Sequence, residues 1–119
     1  MESLWVAVPE PHLETHLRDA LGRSLAELNA AGATEPRRFA VQVEQADWRP
    51  LMRGTSIADY EAVLRVLVEA EGTIRSFSAR SMVVGHHSAA EEKRTREATF
   101  AALSDRLAAE VALWLSGLP

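Results

Sequence analysis

Five leucines, Leu13, Leu17, Leu21, Leu25 and Leu28, recur at steps of four, four, four and three. That spacing constrains the fold more than any other feature of the chain. On a helix of 3.6 residues per turn the five fall in one stripe. Glu14, Arg18, Asp19, Arg23 and Glu27 populate the other faces. A helix with one apolar stripe must bury it against another element. The pattern predicts a helix from about residue 10 to 30. Pro9 and Pro11 stand at its start, where proline is tolerated, and Asn29-Ala30-Ala31-Gly32 forms its stop. Gly22 weakens it slightly. Before it, Leu4-Trp5-Val6-Ala7-Val8 is a short apolar run closed by Pro9, which reads as a strand.

After the helix the period changes to two. Phe39, Val41 and Val43 alternate with Ala40, Gln42 and Glu44, the signature of a half-buried strand. Trp48 to Thr55 reads as a loop, because Pro50 and Gly54 interrupt a ladder. From Ala58 to Ala70, Tyr60, Ala62, Leu64, Val66, Val68 and Ala70 share a core face. Glu61, Val63, Arg65, Leu67 and Glu69 share the other. Glu71-Gly72 is a tight hairpin turn. In the returning strand, Thr73 to Val84, Ile74 and Phe77 lie on opposite parities, which predicts a bulge or an edge position, and Ser76, Ser78, Arg80 and Ser81 make it polar. Ser88-Ala89-Ala90-Glu91 is a capping box. It opens a helix reaching about Ser116, with Phe100, Leu103, Leu107, Val111 and Trp114 as its stripe. The first turns of that helix are polar nearly all round (Glu91, Glu92, Lys93, Arg94, Arg96 and Glu97) and are expected to project beyond the sheet or into solvent. The order β-α-β-β-β-α implies one α+β domain, residues 1–119. Its expected architecture is a two-layer sandwich, with a four-stranded, mainly antiparallel sheet and both helices on one face.

No constellation in the chain carries chemistry. Its 119 residues contain no cysteine, which removes disulfides, thiol nucleophiles and thiolate metal sites. A net charge of -4 argues against nucleic-acid binding, which needs a basic surface. Arg37-Arg38 and Lys93-Arg94 read as solvated. His12 and His16 share a helix face, but the glutamate between them is misplaced for a zinc helix and no third ligand follows. His86-His87 precedes Ser88, which the helix cap already accounts for. Asp47, Glu61 and Glu69 have no buried acid to pair with. The glycines form no phosphate-binding loop. The chain is therefore expected to have no catalytic, metal or cofactor site, and the inward-facing Tyr60 hydroxyl is the sole polar group for a pocket.

What remains is interaction. Trp48, Leu51 and Met52, with Arg49 and Arg53, have the make-up of an interface anchor, unless Trp48 and Leu51 fold under and seal the core. Val63 and Leu67 are apolar positions on the sheet face the helices leave open. Trp48, Leu51, Met52, Arg53, Val63 and Leu67 are thus the candidate partner-binding residues, for a protein partner or a second copy. No stretch reaches the roughly 20 apolar residues of a membrane span. The N-terminus lacks a basic n-region, so the chain as written is expected in the cytoplasm, and in the periplasm if a leader has been removed.

Leu4-Trp5-Val6-Ala7-Val8-Pro9-Glu10-Pro11 running into the leucine helix resembles the strand-and-helix opening of ABC-type transport auxiliary lipoproteins. Phe100-Ala101-Ala102-Leu103 and Arg106 through Leu115 resemble their closing helix. The lipopolysaccharide-assembly lipoproteins have a similar helix, three-strand, helix organisation. The resemblance implies a periplasmic domain at the outer membrane that assists lipid transport by binding protein partners, without catalysis. The lipid-bearing cysteine of such proteins is absent from the sequence.

Overall fold

A computed structural model describes residues 1, 3–6, 10, 12–30, 38–50, 59–84 and 88–117. Its elements are β1 (Ser3–Val6), α1 (Leu13–Ala30), β2 (Phe39–Pro50), β3 (Asp59–Ala70), β4 (Thr73–Val84) and α2 (Ala89–Ser116). The four strands form one sheet in the order β1-β2-β3-β4. β2, β3 and β4 are an antiparallel meander, and β1 lies parallel to β2. Parallel neighbours need a crossover between them, and α1 supplies it. The α+β order and the four-stranded sheet agree with the sequence reading.

One apolar cluster joins the two layers. It takes Leu13, Leu17, Ala20 and Leu21 from α1 and Phe100, Leu103, Leu107, Ala108, Val111 and Leu115 from α2. The sheet contributes Phe39, Val41, Val43, Ala62, Leu64, Val66, Val68, Ala70, Phe77 and Ala79. Leu25 and Trp114, toward the C-terminal ends of the two stripes, are half-buried against it. Ser104 is fully buried within α2, and its hydroxyl donates to the Phe100 carbonyl at 2.7 Å, so its oxygen is not stranded. At the start of α2 the Ser88 hydroxyl accepts from the Glu91 amide at 3.1 Å, the cap that the sequence predicts.

Two expectations need correction, and one open alternative is decided. First, β2 does not end before Trp48. It continues through Trp48, Arg49 and Pro50, which pair with Ala62, Glu61 and Tyr60. Pro50 is its last residue, where a missing N–H costs the ladder least. Second, of the two alternatives for β4, a bulge or an edge position, the edge holds: its register with β3 is unbroken from Thr73 to Val84. The irregularity lies in β2, between Val43 and Gln45. The extra residue there resets the alternation, so Phe39, Val41 and Val43 face the helices before it, and Ala46 and Trp48 after it. Third, in the first turns of α2 Glu91, Lys93 and Arg94 are exposed as expected, but Glu92 and Arg96 are half-buried and tied to the rest of the fold. Glu92 accepts a hydrogen bond from the Trp48 indole at 3.2 Å. Arg96 holds Glu10 through Nε, 3.0 Å from both carboxylate oxygens, and through Nη2.

The β3–β4 turn has φ of 54° at Glu71 and 76° at Gly72, the pair of positive values that marks a type I′ hairpin. Gly72→Ala forces a Cβ into that conformation and is expected to lower stability by about 1 kcal/mol. A urea denaturation midpoint compared with wild type measures the loss.

Candidate interaction surface

The pairing register defines the sheet face turned away from the helices. One row across all four strands reads Trp5, Gln42, Leu67, Ser76, and the next reads Ser3, Ala40, Glu69, Ile74. Trp5 on one edge strand and Ile74 on the other are 60% and 63% exposed. Leu67 and Ala40 lie between them, half-buried. Together these rows form a shallow saddle of about 240 Å³, with Gln42 and Glu69 supplying its polar groups. An indole and a branched aliphatic side chain thus stand well into solvent on opposite edges of one sheet face, with a floor between them in which Leu67 and Ala40 adjoin Gln42 and Glu69.

The other half of the face is polar and internally paired. Arg65 Nε lies 3.1 Å from Glu44, the residue at the bulge. Asp47 accepts from the Gln45 amide at 2.5 Å and from Arg49 at 2.6 Å. These bonds, the Gln45 amide foremost and then Arg49, hold the Asp47 carboxyl below the usual carboxylate range. Val63 sits between Asp47 and Arg80 in the register and is 5% exposed, although it stands outside the helix-covered core. Met82, opposite Glu61, is 66% exposed at the far corner.

The six candidate residues therefore do not meet at one place. Val63 and Leu67 lie on the open face, with Leu67 in the saddle itself. Trp48 lies on the opposite, helix-covered side. There it stacks on Tyr60 with ring centroids 4.7 Å apart and planes 14° off parallel, and its indole bonds Glu92. Leu51, Met52 and Arg53 fall outside the described residues. Sequence reasoning missed Trp5, Ile74 and Met82 as surface groups. For Ile74 and Met82 the signal was present, since both fall on the parity opposite to Phe77. For Trp5 it was not, because nothing in a four-residue strand announces which neighbour it joins.

Tyr60 is half-buried at the end of the sandwich. Desolvation, followed by the nearby Glu92 carboxylate, raises its pKa above the ordinary phenol value. Its surroundings are a stacked indole and a carboxylate already bonded to that indole, an arrangement that ties the end of the sheet to α2. Among the described residues no group of three His, Asp or Glu side chains could hold a metal ion. His12 is exposed at the start of α1 and His16 is half-buried one turn on. His86 and His87 lie outside the described residues. Among the described residues no helix is long and apolar enough to cross a membrane.

No protein-family model matches the sequence, and no curated protein sequence matches it. Solved structures do. A minor lipoprotein from Acinetobacter baumannii superposes with a TM-score of 0.56 at 15% identity, over 97% of this chain and 92% of that one. A protein designated a lipoprotein from Caulobacter crescentus superposes with a TM-score of 0.51 at 10% identity, over 95% of this chain and 87% of that one. The chain has the fold of these lipoproteins. Identity this low carries the architecture alone, and the saddle residues are considered on their own chemistry.

Proposed function

We propose that this chain is a non-catalytic interaction domain of a cell-envelope lipoprotein, one that assists lipid transport or assembly at the outer membrane by binding a protein partner through its open sheet face. The observation that carries the reading is the saddle: Trp5 and Ile74 exposed on either side of Leu67, on a sheet face that neither α1 nor α2 covers. Aromatic and aliphatic anchors over a half-apolar floor, with Gln42 and Glu69 as polar groups, are the make-up of a protein-binding patch. The lipoprotein-like fold supports the envelope setting. On the polar half of the face the Glu44–Arg65 and Asp47–Arg49 pairs engage two of its carboxylates, which supports a binding role over catalysis.

A photo-crosslinking amino acid placed at Leu67 in the native cell, with the same probe at Glu110 on α2 as control, tests the reading. A discrete adduct with an envelope protein is expected from position 67 and none from 110. Leu67→Glu, which sets a charge in the saddle, is expected to weaken that partner's binding to purified protein by about tenfold or more. Equal labelling from both positions, or recovery of the protein wholly with the cytoplasmic fraction, overturns the proposal.

A further inference from the structure

We propose that β4 is a self-pairing edge, and that two copies of this chain join through it, antiparallel, in a single register centred on Ser78. Among the described residues no strand lies beside β4 on its outer side, and it runs twelve residues without a bulge. Edge strands are commonly blunted by proline, charge, bulges or short length, and of these Thr73–Val84 carries only charge. Its two charges are Arg75, whose guanidinium lies 5.1 Å over the Phe77 ring, and Arg80.

The hairpin fixes which backbone groups are available. Ala70 and Thr73 flank a two-residue type I′ turn and form its closing hydrogen-bonded pair. The odd-numbered residues of β4 therefore bond β3. Ile74, Ser76, Ser78, Arg80 and Met82 point their N–H and C=O groups outward. A twofold axis perpendicular to the sheet at Ser78 pairs these residues with the same set on the second copy. It sets Ile74 of one copy against Met82 of the other, twice. These are the two most exposed large apolar side chains of β4, at 63% and 66%. Each arginine then faces a serine: Arg80 opposes Ser76 and Arg75 opposes Ser81. Moving the axis one residue toward the turn sets Ile74 against Arg80, and moving it one residue the other way sets Met82 against Ser76. Moving it further shortens the ladder, and an axis at Arg80 or Arg75 opposes arginine to arginine. The Ser78 register alone covers both apolar groups and opposes no like charges.

The helix layer leaves room for this pairing. An open cleft of about 480 Å³ runs between Arg80 and Ser81 on β4 and Thr95, Thr99, Ala102 and Arg106 on α2. The product is a continuous eight-stranded sheet with all four helices on one side. Its open face carries two saddles, so the inference extends the proposed function without resting on it.

Two measurements test the edge. The chain has no cysteine, so Ser78→Cys, Ser76→Cys and Arg80→Cys each introduce a single thiol. In the proposed register the two α-carbons at position 78 stand about 5.5 Å apart, within disulfide range, whereas positions 76 and 80 are each displaced from their own copies by several residues. Mild oxidation is expected to convert the position-78 variant to a covalent dimer at least about tenfold faster than the other two. Sedimentation of the wild-type chain at about 100 µM is expected to show a monomer–dimer equilibrium. Ser78→Pro, which removes an outward N–H and leaves the β3 ladder whole, is expected to abolish it with an unchanged circular dichroism spectrum. A wild-type monomer at that concentration, or position-76 crosslinking as fast as position-78, overturns the proposal.

Discussion

Phe100→Ala is expected to lower the free energy of unfolding by about 3–5 kcal/mol. Phe100 is the first residue of the α2 stripe and is 1% exposed. It is among the bulkiest fully buried side chains, within the cluster that joins both helices to the sheet. Alanine removes the transfer free energy of a benzyl group and leaves a cavity that strands on one side and helices on the other cannot close. Urea denaturation of the two proteins, with comparable slopes, measures the difference. A loss below about 1 kcal/mol would mean the site is not close-packed.

The second large effect concerns the bond between Arg96 and Glu10. The Glu10 side chain is 3% exposed and the Arg96 side chain 38%. The guanidinium grips both carboxylate oxygens through two nitrogens. Removing one partner of a buried pair leaves an uncompensated charge and costs about 3–5 kcal/mol, which the partial exposure of Arg96 reduces here to about 2–3 kcal/mol for Arg96→Ala. The double replacement Glu10→Leu with Arg96→Leu removes both charges at once and is expected to recover most of that loss. A double-mutant cycle in thermal or urea melts checks both values. A single Arg96→Ala variant as stable as wild type would show that the pair does not fasten the start of α1 to α2.

These two sites also show how far the sequence reaches. Phe100 was legible, because a stripe at steps of three and four declares its buried face whatever the partner. The same logic identified Leu13, Leu17 and Leu21 on α1 and the inward set of β3. Glu10 and Arg96 were not legible, since they are eighty-six residues apart and each alone resembles an ordinary solvated charge. Only the packing of α2 across the start of α1 brings them together. The candidate surface divides in the same way. Leu67 follows from strict alternation along β3. Trp5 depends on a parallel pairing that no local pattern encodes. Trp48 was open to two readings because Pro50 suggested a loop. The structure places it on the helix-covered side, bonded to Glu92 and stacked on Tyr60.

The irregularity at Glu44 has a consequence for how this hairpin can vary in length. Strand residues on either side of it are out of step by one, and the surplus residue absorbs the difference. Excising Glu44 would leave Val43 and Ala46 on the faces they already occupy, at the cost of its ion pair with Arg65. Excising Gln42 instead would throw the Phe39–Val41 end out of phase and turn its valine and phenylalanine toward water. One position in β2 can thus act as a length buffer, letting the strand gain or lose a residue without exchanging its inner and outer sides.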